Sequence, residues 1–421
     1  MSNPRCNTSH VVRTSRDIQT LTLLGALLFW LFCAGTVVGQ STEAKPQARQ
    51  GWGYSGAIAY NGKVSGALSA SGAGKTIPMA SFSFTATKDG RTYEDTIVGQ
   101  SPLAASKGTT TINVVLVPVI VQIGTTTFDP TVVDSCITPP MSPLSAFHNS
   151  PILEAVAFDG GSAKGHAATM NGVNVGTTTY PDAFRRAEFW KAVSGSDYHI
   201  AFNVTTVAPW TITAADVQSI GGGNVLTTQC ADLGVLSTTG FQAYIQNTVI
   251  PAISAITPTT FALFLMKDVV TTTSTALNCF NGCEIGYHAA FGSPVQTFAV
   301  SEYDTTQQFW NSSAIKNIAT LAHEVGEWLD DPLVTNPTPA WGGSGQQSGC
   351  QTNWEVGDPL SGTDFPAITM PNGVNYDPQE LAFWSWYYSA EGTASIGAGG
   401  KFSDDRTFAG PSKVCPPGGT Y

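Results

Sequence analysis

Hydrophobic and polar residues alternate clearly from position 81 onward. The stretch "SFSFTATKDGRTYEDTIVG" holds two alternating runs around Asp89-Gly90, the arrangement expected of a β-hairpin. "TTINVVLVPVIVQIG" (Thr110 to Gly124) is almost continuously apolar, which predicts a buried strand, with Pro118 marking a bulge or break. "YPDAFRRAEFWKAV" (Tyr180 to Val193) carries an apolar stripe at helical spacing behind Pro181 and Asp182, and so predicts a helix. A strand is expected at Tyr198 to Val207, a helix ended by proline at Gly240 to Ser254, and a buried strand at Thr259 to Val270. Two further strand-like pieces, "CEIGYHAAFG" and "VQTFAVSEY", precede the long helical pattern "NSSAIKNIATLAHEVGEWLDDP". The final stretch is rich in Gly, Pro, Asn and aromatic residues and has little period. Strands followed by scattered helices, with no repeat and no linker after residue 80, predict one α+β unit.

The long helical pattern carries the chemistry. Asn311, Ser312 or Ser313 would cap it, Asp331-Pro332 would end it, and Ile315, Ile318, Ala322, Val325 and Leu329 form its buried stripe. His323 and Glu327 are four residues apart and share a face, while Glu324 is turned about 100° away. Two groups at that spacing can grip one ion while the third reaches a ligand on it. The plain alternative is an ordinary surface pair. Against it stands the crowding of Glu324, Glu327, Asp330 and Asp331 at the helix end where the macrodipole disfavours acids. "NWEVGDP" (Asn353 to Pro359) follows and brings Glu355 and Asp358 on a glycine-containing loop.

Composition adds a location. Only 12% of the 421 residues are charged, and the formal net charge is −11, which argues against nucleic acid and anionic lipid as partners. Arg5, Arg13 and Arg16 precede the apolar run Leu21 to Val38. This has the layout of a signal peptide over residues 1–39, a retained membrane anchor being the alternative. Residues 40–78, rich in Gly, Ser and Ala, are expected to form a spacer, followed by one domain over 79–421. Its part 79–270 is β-rich, and its part 271–421 holds the metal site. "SGAGKT" (Ser71 to Thr76) lacks the leading glycine and the preceding strand of a phosphate loop. Beyond the leader, Cys136, Cys230, Cys279, Cys283, Cys350 and Cys415 form an even set, expected to pair as disulfides in an exported chain. Cys279 and Cys283 are read as a local disulfide in preference to a second zinc site with His288. The aromatic run "FWSWYY" (Phe383 to Tyr388) is read as buried structure before a sugar or peptide platform.

His-Glu-x-x-Glu, then Asp-Pro, Trp341 and Glu-Val-Gly-Asp together resemble a group of exported bacterial proteins of zincin type. They are more distantly similar to the plant exordium, or phosphate-induced, family, and "GCEIGYHAAFG" resembles that group's Cys, Gly and His stretch. The resemblance covers roughly Cys279 to Pro359. It implies a zincin-like fold with a twisted, mostly antiparallel sheet, an active-site helix and a loop-rich, disulfide-braced C-terminal part. It also implies His323 and Glu327 as metal ligands, Glu324 as general base and Glu355 as third ligand, with Asp358 competing for that place. His288 and Tyr376 are the candidates to steady an oxyanion. One histidine with two carboxylates is a weaker Lewis-acid set than the usual zinc triad, and tolerates manganese or calcium better. The function implied is an exported zinc peptidase acting on protein or peptide. The alternative is a non-catalytic extracellular or cell-wall protein with a structural ion.

Overall fold

The computed structural model describes residues 75–279, 282–307, 315–388, 398–410 and 415. The leader, nearly all of the 40–78 segment and the cap residues Asn311, Ser312 and Ser313 lie outside the described residues. No helix among the described residues is long and apolar enough to cross a membrane.

The hairpin forms as expected. β1 (Met79–Thr85) pairs antiparallel with β2 (Thr92–Val98), and Gly90 takes the positive φ of the connecting turn. Next come β3 (Thr109–Ile123), β4 (Thr126–Phe128), helix α1 (Tyr180–Glu188), β5 (His199–Thr206) and β6 (Trp210–Ile212). β7 (Phe261–Lys267), β8 (Gly286–Phe291) and β9 (Gln296–Tyr303) lead to helix α2 (Ala319–Asp330). The hairpin β10 (Pro337–Ser344) and β11 (Gln347–Asn353) and the short helix α3 (Trp384–Tyr388) follow.

The fold is α+β. Antiparallel pairing prevails in the small sheets, whereas the central seven-stranded sheet is parallel through its middle. There β9, β7, β3 and β5 run parallel in turn, with antiparallel β8 on one edge and β4 on the other side. This explains the unbroken apolar runs, because both sheet faces are covered. Ile112, Val114 and Leu116 of β3 join Leu263 and Leu265 of β7 in the core beneath α2. Val115, Val117, Ala262, Phe264 and Met266 fill the core on the opposite face.

Pro118 does not interrupt β3. It falls between the last residue paired to β5, Leu116, and the first paired to β6, Val119. Its missing N–H thus sits where one neighbouring strand hands over to the next. The expected strand Thr259 to Val270 divides instead. Asp268 adopts φ +50, and Val269–Thr272 leaves to pair with Leu233–Ser237 in a separate sheet.

The long helix starts later than its apolar stripe suggests. Asn317 has φ +41 and forms an antiparallel bridge with Asp304, so Ile315 lies before the first turn. Its end is as expected, with Asp331 as C-cap. All twelve helix residues are buried. Trp328 stacks on Phe261 with ring centroids 3.6 Å apart, which fixes α2 on β7.

Three disulfides, Cys136–Cys230, Cys279–Cys283 and Cys350–Cys415, account for the six cysteines. Phe383 to Tyr388 is buried, as expected, with rings of α3 meeting Phe84, Trp341 and Trp354 edge to face.

Candidate metal centre

Side-chain parity brings the first histidine to the helix. Tyr287 and Ala289 on β8 point into the far core, so His288 between them faces α2. There it meets Glu324 and Glu327, with His323 one turn before Glu327. The loop after β11 adds Glu355 and Asp358. Five of these six side chains are 0% exposed, and Asp358 is 2% exposed.

Two small pockets share one carboxylate. In the first, His323 Nε2 lies 3.1 Å from Glu327 Oε1 and 3.7 Å from Asp358 Oδ1. In the second, His288 Nδ1 lies 3.5 Å from Glu324 Oε2 and 3.5 Å from Glu327 Oε2. The ligand atoms of each trio fall within 4.8 Å of one another, close enough to surround one ion. Glu327 therefore gives one oxygen to each pocket. Glu355 stands beside them: its Oε2 is 4.0 Å from His288 Nε2, and its Oε1 accepts from Asn353 Nδ2 at 2.9 Å. Between the two competitors for third ligand, Asp358 is the one set against His323 and Glu327.

Both histidines are held by their outer nitrogen. His288 Nε2 lies 3.1 Å from the Asp331 carbonyl oxygen. A carbonyl only accepts, so Nε2 carries a proton, and Nδ1 is turned to the glutamates. His323 Nδ1 lies 3.2 Å from Gln379 Oε1, and Gln379 Nε2 donates to the Gly357 carbonyl at 2.7 Å. This second contact orients the amide so that His323 donates to it and directs Nε2 inward. Such outer contacts are characteristic of metal-bound imidazoles.

The pockets are electrostatically incomplete. His288 Nδ1, both Glu324 oxygens, Glu327 Oε2 and Glu355 Oε2 have no hydrogen-bond partner among the described residues. Burial of an unpaired carboxylate is penalised by several kcal/mol in order of magnitude. Burial, and then the charge of Glu327, pushes Glu355 and Asp358 well above the carboxylate range. Burial likewise raises Glu324. Burial also opposes the charge on Glu327, but His323 and then His288 outweigh it and hold its carboxyl down to about 2. Four acids facing two imidazoles in a dry interior call for additional positive charge. The nitrogen-and-oxygen donor sets could hold a metal ion.

Not every expected residue joins the centre. The Tyr376 hydroxyl donates to the Ala146 carbonyl at 2.6 Å and accepts from Asn372 Nδ2 at 2.8 Å, so it is engaged elsewhere. Of the acids crowding the helix end, Asp330 pairs with the guanidinium of Arg185. Asp331 accepts from the backbone N–H groups of Thr335 and Asn336 at 2.9 and 3.0 Å and fixes the loop. Only Glu324 and Glu327 of that group serve the pockets. Gln379, Asn353 and the Asp331 carbonyl are supporting groups that the spacing does not reveal. Gln346 and Gln351 do the same for Asp358, the latter donating at 3.1 Å.

Two glycines make room for the side chains. A Cβ on Gly286 would lie 2.8 Å from Glu324 Oε1, and one on Gly357 would lie 2.3 Å from His323 Nδ1. The Gly357 N–H also donates to Glu327 Oε1 at 3.2 Å. Gly357→Ala is therefore expected to displace the His323 ring and weaken metal binding at least about tenfold, the scale of losing a supporting partner. Overpacking should lower stability by about 1–3 kcal/mol. A chelator-competition titration and a urea melt measure the two effects; unchanged affinity would show that the ring is not confined there.

Comparison with protein-family profiles, with curated proteins and with solved structures returned no match.

Proposed function

We propose that this protein is a metal-dependent hydrolase of the peptidase class, with zinc or manganese held by His323, Glu327 and Asp358 and with Glu324 as general base. The convergence of buried histidine and carboxylate groups, with their ligand atoms within 4.8 Å of one another, carries this reading. A divalent ion there would supply Lewis acidity toward a carbonyl group and toward water. Glu324 has neither oxygen tied to a hydrogen bond among the described residues, which leaves it able to take a proton from water and return it to a leaving amine. His288 has its Nε2 proton committed to Asp331, so it does not reach for an oxyanion. The likeness of His-Glu-x-x-Glu and Glu-Val-Gly-Asp to zincin-type and phosphate-induced proteins supports the same assignment. Three disulfides support export.

The burial of all six side chains favours a second reading, a structural ion in a non-catalytic protein. Glu324 is 0% exposed, so a substrate reaches it only if the surrounding structure opens. Metal analysis and protein digestion by wild type and Glu324→Gln separate the two. For the enzyme, Glu324→Gln should keep its metal and lose about 10²–10⁴-fold in rate, the scale of general acid–base catalysis. Metal retained without digestion by either protein favours the structural ion. A protein that takes up no divalent metal overturns both.

A further inference from the structure

A second group of acids lies outside the centre described above. Asp268 sits at the end of β7, Glu302 near the end of β9 and Asp304 just beyond it. They are 0%, 0% and 5% exposed, and each offers an oxygen within 4.8 Å of the others. Glu302 keeps the parity of Phe298 and Val300, which pack in the core away from α2. The cluster shares no residue with the histidine pockets.

Part of it is stitched to the protein. Thr305 N–H donates to Asp268 Oδ1 at 2.6 Å, and the Thr305 hydroxyl lies 2.7 Å from Asp268 Oδ2. The N–H and hydroxyl of Thr306 reach Asp304 Oδ1 at 3.2 and 2.7 Å. What remains points inward unpaired: both oxygens of Glu302, and Asp304 Oδ2, have no partner among the described residues. Lys267 is the nearby cation, but its ammonium is 2.6 Å from Asp134 and 4.0 Å from Asp268. That one ammonium is set against Asp134 and Asp268, and Glu302 and Asp304 are not among the carboxylates it is paired with.

We infer that Asp268, Glu302 and Asp304 form a binding site for a hard divalent cation, calcium by donor chemistry. All the donors are carboxylate oxygens, the set that calcium takes and zinc does not prefer. No nitrogen or sulfur ligand stands in the trio. Glu302 supplies two unpartnered oxygens for bidentate contact, and hydrogen-bonded Asp268 and Asp304 are preoriented toward it. The carboxyl ends of adjacent parallel strands are also where sheets of this kind place ligands. The site ties β7 to β9, the strands beneath α2, so its role is structural.

The test is a calcium titration of chelator-stripped protein by calorimetry, with thermal melts alongside. Wild type should bind calcium and gain about 3 °C or more in melting temperature at a hundredfold excess over Kd. Glu302→Gln and Asp304→Asn should each bind at least about tenfold more weakly, while Glu327→Gln keeps the wild-type calcium response. Asp304→Asn preserves an acceptor for Thr306, so it and the wild-type titration decide the matter if Glu302→Gln fails to fold. Absence of any calcium response in wild type would overturn the site. So would a response lost in Glu327→Gln and kept in Glu302→Gln, which would place calcium in the histidine pockets. Failure of zinc binding at His323 leaves these outcomes unchanged.

Discussion

Glu327→Ala is expected to empty the metal centre. Glu327 is the one side chain common to both pockets, giving Oε1 to His323 and Oε2 to His288. Its removal deletes a ligand from each and leaves the remaining donors in trios reduced to pairs. Loss of a mere supporting partner lowers metal affinity about 10–100-fold, so loss of the shared ligand should exceed about 10²-fold. Any hydrolytic activity should fall further than in Glu324→Gln, which spares the His323, Glu327 and Asp358 set. Alanine favours a helix interior, so α2 should persist. Elemental analysis after gel filtration and competition against a chelator of known affinity measure the effect. Wild-type metal content in Glu327→Ala would move the ligand role to Glu355 and dismantle the two-pocket arrangement.

The second large effect concerns stability. Arg185, on α1, is fully buried. Its guanidinium bonds to Asp330 on α2, approaches Glu188 at 3.8 Å and donates to the Val98 carbonyl at 3.3 Å. It thereby joins α1, the β2 end and the C-terminal turn of the site helix. Truncation in Arg185→Leu leaves two buried carboxylates without their cation, a loss of about 3–5 kcal/mol for a broken buried pair. Urea unfolding should show a matching fall in midpoint. The double variant Arg185→Leu with Asp330→Leu should recover part of it, because the uncompensated charge on Asp330 has gone. A single variant as stable as wild type would mean that solvent reaches Asp330 and that the pair carries no structural weight.

Local features were the legible ones. Thr110 to Gly124 announced a buried strand, Thr259 to Val270 announced one that in fact ends at Lys267, and Asp89-Gly90 announced the hairpin turn. The chemistry of α2 was readable because His323, Glu324 and Glu327 are fixed relative to one another by helical geometry alone. The helix start was not, because Asn317 is held out of the helix by Asp304 on another element. Acids at the helix end suggested a metal in general. Two of them answer instead to Arg185, far away in sequence, and to the backbone of the next loop. The order of Glu355 and Asp358 around His323 depends on how the β11 loop packs, and spacing in the chain carries no record of that. Asp268, Glu302 and Asp304 come from two strand ends and left no spacing signature at all.

The Cys350–Cys415 bond spans 65 residues, and Glu355, Asp358 and Gln379 all lie inside the covalent ring it closes. The helical half of the site lies outside it. A ring of that size removes about 4 kcal/mol worth of freedom from the unfolded chain. The segment that completes the first pocket is therefore constrained by a bond whose existence depends on the surrounding redox potential. Oxidation state is thus a variable of the metal centre even though no sulfur lies among its ligands.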